Sequence, residues 1–180
     1  MTDFSGSQKL TVITDFSETD TLKNLISNLD ETKKQIILIG ISYGMMKLQQ
    51  NSINHYDLQL EKIQIDKEFH PQISEFGLLN VFGDFQSNSC EKTIYTAPEI
   101  TNGNPIDSKI DVYSFGVLMY EIITGNIHDK STELDFTVSI NEFHKKLMMK
   151  CISNDPFERP NFEEIFHKLS FNSKYLLEKV

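Results

Sequence analysis

Residues 112–123 constrain the fold of this chain more than any other segment. Their large apolar side chains recur at helical spacing and are spread almost all round the helix: Val112, Phe115, Leu118, Met119, Ile122 and Ile123. A helix that is apolar on every side must be buried inside a globular protein. Gly125 follows as the predicted end of the helix. The remaining elements must therefore pack around this one.

Four further segments are predicted to form helices, two before and two after the central helix. A short helix is predicted over residues 21–28, and Thr32 is the predicted cap of a longer one that ends near Gln50. Gly40 and Gly44 lie one turn apart, which predicts the close approach of another helix. Residues 141–153 and 161–169 are amphipathic. Their predicted buried faces are Phe143, Leu147, Met148 and Cys151 in the first, and Phe162, Ile165, Phe166 and Leu169 in the second.

Residues 54–76 have the pattern of a loop followed by a β-hairpin. Ile63 and Ile65 alternate with polar Gln64, residues 66–68 are turn formers, and strand character resumes at residues 72–74. The segment predicts two short antiparallel strands.

Composition excludes several classes of protein. The chain has 180 residues, of which 39% are apolar, and 13 are phenylalanine, so it is long and apolar enough for one folded domain. A net charge of −9 disfavours a nucleic-acid partner, because that binding depends on clustered Lys and Arg. No apolar stretch approaches the roughly 20 residues of a membrane helix. We therefore expect a cytoplasmic protein with neither membrane nor nucleic acid as its partner.

Five motifs occur in a fixed order along the chain: H-Y-D-L-Q-L-E-K at 55–62, E-F-G at 75–77, A-P-E at 97–99, D-V-Y-S-F-G at 111–116 and D-P-F-E-R-P at 155–160. The first three resemble the H-R-D-L-x-x-x-N, D-F-G and A-P-E signatures of the protein kinase family, and the last two resemble its buried central helix and the loop before its last helix. The resemblance implies a mainly helical α+β fold like the C-terminal lobe of a tyrosine-kinase-like or serine/threonine kinase. Its small hairpin would carry the catalytic-loop and D-F-G-like positions, and residues 78–96 would be the activation segment.

The resemblance stops early on the N-terminal side. Residues 10–16 have strand character and match the strand that leads into the family's hinge, which leaves only residues 1–9 before it. No G-x-G-x-x-G occurs in the chain, so we expect the N-lobe to be absent. The predicted organisation is a short segment to residue 9, a partial kinase-like domain over residues 10–170, and a tail over residues 171–180. The positions that correspond to a vestigial nucleotide-binding hinge are Asp15, Phe16 and Ser17.

The resemblance implies a degenerate catalytic site. Asp57 retains the position of the base that orients the accepting hydroxyl, and we expect it to be idle. Lys62 replaces the metal-binding asparagine, and its positive charge would repel Mg²⁺. Glu75 replaces the D-F-G aspartate with a longer side chain, although Mg²⁺ tolerates little error in its ligand shell. Gln59 and Tyr56 replace the catalytic-loop lysine and the phosphate-binding arginine. On the family template, Lys62 and Glu75 point at the same metal site and should pair with each other.

Positions with a structural role match the family better than the catalytic ones. Glu99 and Arg159 correspond to its buried ion pair, and Asp111 would hold the catalytic-loop backbone with His55 and Phe76 stacked above it. The matching structural positions are His55, Phe76, Gly77, Glu99, Asp111 and Arg159. The other histidines have no ligand spacing, so we expect no metal site and ordinary surface or interface positions for them: His70, His128, His144 and His167.

Three hypotheses of function follow. The first is a non-catalytic, pseudokinase-like protein that acts as a binding or scaffolding module in signalling, needs no cofactor, and meets a protein partner through its uncovered cleft or strand edge. The second is a divergent ATP- and Mg²⁺-dependent kinase that phosphorylates serine or threonine. The third is a truncated fragment of such a kinase.

Overall fold

The computed structural model describes residues 20–76, 93–101, 107–128 and 134–177. Within these ranges the fold is mainly helical, with one small antiparallel sheet, as predicted. The strands are β1 (Asp20–Thr21), β2 (Ile63–Ile65) and β3 (Pro71–Ile73). The helices are α1 (Leu22–Leu25), α2 (Glu31–Gln50), α3 (Pro98–Thr101), α4 (Lys109–Thr124), α5 (Glu142–Cys151) and α6 (Phe162–Phe171). Single 3₁₀ turns are formed by Ile26–Asn28, Leu60–Lys62, Pro156–Glu158 and Ser173–Tyr175.

Helix α4 is the buried centre of the molecule, which confirms the prediction from its apolar pattern. Twelve of its 16 residues are buried, and Phe115 packs edge-on against Phe162 of α6 with ring centroids 5.5 Å apart. Gly125 ends the helix in the left-handed conformation at φ 73°, which glycine adopts without steric cost.

Helix α2 lies between the sheet and α6. It begins two residues earlier than predicted, because Asp30 rather than Thr32 is the cap and accepts a hydrogen bond from Lys33 N at 2.9 Å. Ile37, Ile41 and Met45 form its fully buried stripe. Gly40 and Gly44 do admit a close neighbour, but the prediction that this neighbour is a helix is wrong.

These two glycines face strand β3 instead. A Cβ atom placed on Gly40 would lie 2.5 Å from Pro71 Cγ, and one on Gly44 would lie 2.8 Å from Ile73 Cδ1. The missing side chains allow the hairpin to rest on the helix backbone. The hairpin that carries the candidate site is thereby fixed to α2.

The sheet has the order β1-β2-β3, with Ile63 opposite Ile73 and Ile65 opposite Pro71. Ile63 and Ile65 point into the core and are 0% and 3% exposed, as their alternation predicted. β1 pairs on the other side through Asp20 and Ile65. The predicted strand at residues 10–16 lies outside the described residues.

Helix α5 packs against α4, and α6 packs mainly against α2. Leu147, Met148 and Cys151 are buried as predicted, but Phe143 is 38% exposed. The neighbouring His144 is 0% exposed and takes the inward position instead, which corrects the expectation of an ordinary surface histidine. None of the described helices combines the length and the apolarity that crossing a membrane requires.

Candidate functional site

The loop that carries Asp57 is held by a carboxylate of the central helix. Asp111, 0% exposed, accepts hydrogen bonds from the backbone N of both His55 and Tyr56, each at 2.7 Å. Tyr56 has φ 67°, an uncommon conformation for a residue with a large side chain. Such strain persists only where the surroundings enforce it, and the double contact with Asp111 supplies that constraint. Burial raises the pKa of Asp111 to about 6, and the two N–H donors oppose that rise.

His55 links the same loop to the hairpin. Its Nε2 lies 3.0 Å from the carbonyl oxygen of Ser74, and its Nδ1 accepts from Asp57 N at 3.3 Å. These contacts match a neutral imidazole with its proton on Nε2, and burial lowers its pKa accordingly. Phe76, expected to stack above Asp111, is 45% exposed and therefore only half covered.

Lys62 lies between two carboxylates at the floor of the cleft. Its Nζ donates to Glu75 Oε2 in a short contact and lies 3.8 Å from Asp57 Oδ2. The Lys62 side chain is 22% exposed, whereas Asp57 and Glu75 are about half exposed. Gln59 completes the group, because its Nε2 donates to Asp57 Oδ1 at 2.9 Å.

The Lys62–Glu75 contact depends on the hairpin. The two residues are 13 apart in sequence, and the pairing of β2 with β3 returns the chain to the same place. Ser74 N and Oγ both donate to the carbonyl oxygen of Lys62 at 2.9 Å, which fixes the backbone beside Glu75. The Lys62 ammonium thus has a defined position.

These residues do not fit a divalent metal ion. A Mg²⁺ site requires oxygen ligands that are free to complete a near-octahedral shell. Here an ammonium group is hydrogen-bonded to Glu75 and faces Asp57, so a metal ion would meet an adjacent positive charge. Partial burial raises the pKa of Asp57, and the charge of Lys62 opposes that rise.

Elsewhere among the described residues, one group of possible metal ligands comes together: Asp66, Glu68 and His70 in the β2–β3 turn. This corrects the expectation that His70 has no carboxylate at ligand spacing. Asp66 Oδ1 accepts from Glu68 N at 2.9 Å and from His70 N at 2.8 Å, so the carboxylate already closes the turn. The arrangement has a structural explanation.

Glu99 and Arg159 form the ion pair that the resemblance implied. Arg159 Nη1 and Nη2 donate to the two Glu99 carboxylate oxygens at 2.6 and 2.8 Å, and both residues are buried. The guanidinium also donates to the carbonyl oxygens of Ser153 and Lys109 at 2.9 and 3.0 Å. The pair therefore joins the A-P-E segment to α4 and to the loop before α6.

A further buried carboxylate, on α4, was missed in the sequence. Glu121 of α4 is 0% exposed and accepts from Tyr95 in a short hydrogen bond and from His128 N at 2.7 Å. Burial raises the pKa of Glu121, while these two donors oppose the rise. His128 Nδ1 lies 3.8 Å from Glu121, so this histidine too has a carboxylate neighbour. A lone glutamate inside an otherwise apolar helix was the signal, since such a group needs partners.

The structure brings together the candidate residues at 55–62 and 74–75 and the supporting residues Glu99, Asp111 and Arg159. Asp15, Phe16, Ser17 and Gly77 lie outside the described residues, so their predicted roles remain predictions. Most of the predicted activation segment, residues 78–92 of 78–96, lies outside them as well.

Comparison with known proteins identifies the family. The protein kinase domain matches residues 2–171 of the chain. A probable serine/threonine-protein kinase of Dictyostelium discoideum is 29% identical over 177 residues, covering 89% of this chain and 17% of that protein. The dual specificity protein kinase shkD of Dictyostelium discoideum is 30% identical over 190 residues, covering 91% and 25%. A G-type lectin S-receptor-like serine/threonine-protein kinase of Arabidopsis thaliana is 40% identical over 120 residues, covering 60% and 14%.

The chain spans a quarter or less of the length of these three relatives. The match nevertheless extends over almost the whole chain, and it includes the loop, hairpin, ion pair and central helix described above. This chain belongs to the protein kinase family.

Proposed function

We propose that this protein is a non-catalytic, pseudokinase-like member of the family and acts as a protein-binding module in signalling. The observation that carries the proposal is the Lys62 ammonium, which contacts Glu75 and faces Asp57 where a metal-dependent site would need free carboxylates. Phosphoryl transfer depends on positioning and charge neutralisation by metal ions. A site that excludes the metal loses the main source of that neutralisation.

Asp57 alone does not restore the chemistry. Its carboxylate accepts from Gln59 at 2.9 Å, lies 3.8 Å from the Lys62 ammonium and is about half exposed, so it is already neutralised by a fixed cation and is not shielded from water. Electrostatic stabilisation of a transition state is strongest where water is excluded. We therefore assign Asp57 no catalytic role.

The cleft floor is the surface that we assign to a protein partner. Asp57 and Glu75 are about half exposed there, and the adjacent Phe76 is 45% exposed. An exposed aromatic ring beside polar groups that are held in place is typical of a protein interface. We place the protein in the cytoplasm, in line with this role.

The test is a thermal melt with ATP and Mg²⁺, alone and together, beside a radiolabelled phosphotransfer assay. A ligand at 100 times its Kd adds about 2.7 kcal/mol to the stability of the folded state, so normal binding would raise the melting temperature by several degrees. We expect no rise that requires both ligands, and no transfer. Transfer by the purified protein that is lost in Asp57→Ala would instead establish the divergent kinase.

A further inference from the structure

His144 is a buried imidazole without a hydrogen-bond partner. It is 0% exposed, and within the described part of the chain neither Nδ1 nor Nε2 has a partner. A buried polar group in this state costs free energy, and native proteins keep few of them. Protonation would add a buried charge and increase that cost.

A short C-terminal segment covers this imidazole. Residues 172–177, here called the strap, contain the 3₁₀ turn Ser173–Tyr175. The Tyr175 ring packs edge-on against His144 with centroids 5.5 Å apart, and against Phe143 at 5.9 Å. Lys174 Nζ lies 5.1 Å from the centroid of the Phe143 ring. Tyr175 is itself 8% exposed, so the strap closes the site from solvent.

The strap is held by side-chain packing. Its hydrogen bonds join Tyr175 N to Asn172 O at 2.9 Å, Leu176 N to Ser173 O at 3.2 Å, and Lys174 N to Asn172 Oδ1 at 3.1 Å. All three lie inside the strap, and among the described residues none joins it to a helix. It can therefore leave the α5–α6 surface without breaking a backbone hydrogen bond to the rest of the fold.

No unpaired carboxylate is placed to stabilise a protonated His144. The carboxylate that acts on His144 is Glu31 at the start of α2, which is already bonded to Lys34 Nζ at 2.9 Å. On α5, Cys151 is buried and burial raises its pKa to about 12, so the thiol is neutral. The charged neighbours of His144 in the chain have other partners, since Glu142 pairs with Lys146 at 3.3 Å and Lys145 donates to Phe136 O at 2.8 Å.

We propose that the strap is a pH-sensitive latch, in which protonation of His144 displaces Tyr175 and opens the surface between α5 and α6. Under the closed strap, burial lowers the pKa of His144 from 6.5 to about 4, and the opposing effects of the nearby Tyr175 backbone and of Glu31 are smaller. With the strap open, the imidazole meets water and regains its ordinary pKa. Acidification through that interval therefore favours the open form.

The size of the effect follows from linkage. A group with pKa near 4 when closed and near 6.5 when open shifts the closed-to-open ratio by roughly 30-fold between pH 7.5 and pH 5. The latch is independent of the cleft, because neither Lys62 nor Glu75 takes part in it.

The experiment is hydrogen exchange measured by mass spectrometry on the full chain at pH 7.5 and pH 5, with rates corrected to protection factors. We expect the protection of the backbone amides of Tyr175 and Leu176 to fall by about 30-fold at the lower pH, because the single 3₁₀ turn that bonds them is not stable once it leaves the helices. The His144→Phe variant keeps an aromatic ring and removes the titration, so its strap should be equally protected at both pH values. The His70→Phe variant, changed at an exposed turn histidine, should behave as the unaltered protein does.

Two outcomes would overturn the latch. One is strap protection in the unaltered protein that is the same at both pH values, and the other is an equal loss in His144→Phe. If His144→Phe fails to fold, the imidazole of the unaltered protein is titrated by NMR instead. A midpoint at or above 6.5 with no change in the Tyr175 ring signals would then reject the proposal.

Discussion

At the scale of single residues, the position of one ammonium group determines whether the site can bind a metal ion. Lys62 takes its position from the hairpin, donates to Glu75 and lies 3.8 Å from Asp57. The pair is partly exposed, and exposed ion pairs contribute only about 0–1 kcal/mol to stability. Its effect is therefore local: it fills a site without holding the fold.

We predict that the double variant Lys62→Asn with Glu75→Asp gains affinity for divalent metal ions. The change removes the adjacent positive charge and shortens the acidic side chain by one methylene, which frees two carboxylates to bind the ion. Calorimetric titration with Mg²⁺ and Mn²⁺ measures the gain. The melting temperature without metal should change little.

The matched control is Lys62→Arg with Glu75→Asp, which shortens the same acid but keeps a cation beside it. We expect it to bind metal no better than the unaltered protein. Equal metal affinity in all three proteins would show that Lys62 does not govern the site.

At the scale of secondary-structure elements, the contact between α2 and β3 positions the site. Gly40 and Gly44 present bare backbone to Pro71 and Ile73, so the hairpin lies directly on the helix. The same hairpin brings Glu75 back to Lys62. A shift of β3 away from α2 would move one partner of that pair relative to the other.

Gly40→Ala should destabilise the protein more than Gly44→Ala. A Cβ on Gly40 lies 2.5 and 2.6 Å from the Cγ and Cδ atoms of the rigid Pro71 ring, so the strand itself must move. Overpacking of this kind costs about 1–3 kcal/mol, against a gain of about 1 kcal/mol in helix propensity. On Gly44 the close atom is the terminal methyl of Ile73, which can rotate, so the net change should be near zero.

The midpoints of urea unfolding of the two variants and of the unaltered protein measure the two stability losses. A loss in Gly44→Ala as large as that in Gly40→Ala would mean that Ile73 is as immovable as Pro71.

At the scale of the whole molecule, buried ionic and polar groups connect segments that are distant in sequence. Arg159 joins the A-P-E segment, α4 and the loop before α6, and Asp111 joins α4 to the Asp57 loop. The parts of the fold that surround the cleft are thus retained although the cleft does not fit a metal. This combination agrees with the binding role proposed above.

Replacing either partner of the Glu99–Arg159 pair by alanine should destabilise the fold by about 3–5 kcal/mol, because the remaining buried charge is left without its counter-ion. Asp57→Ala, at a side chain that is 49% exposed, should change stability by no more than about 0.5 kcal/mol. Chemical denaturation of the three variants measures the difference. Similar losses in all three would mean that the pair does not hold these segments together.

Much of the architecture could be predicted because helix and strand periodicities are local properties. The apolar pattern of α4, the Gly125 end and the alternation of Ile63 and Ile65 each identified an element correctly. The identities of Lys62 and Glu75 predicted their contact through the family resemblance. The helix cap was placed two residues late, because Asp30 and Thr32 are both capping residues and only the backbone angles distinguish them.

What the sequence determined by itself is which segments form helices and strands and which side chains the cleft contains, since both depend on residue type and spacing. What only the tertiary structure decided is which surfaces meet. Gly40 could have admitted a helix, but a strand packs there. Phe143 is more apolar than His144, yet Tyr175 contacts both rings and only the histidine is fully buried. The local pattern does not distinguish between neighbouring faces of a helix, and packing between distant segments selects one of them. That is how a histidine without a hydrogen-bond partner comes to be buried.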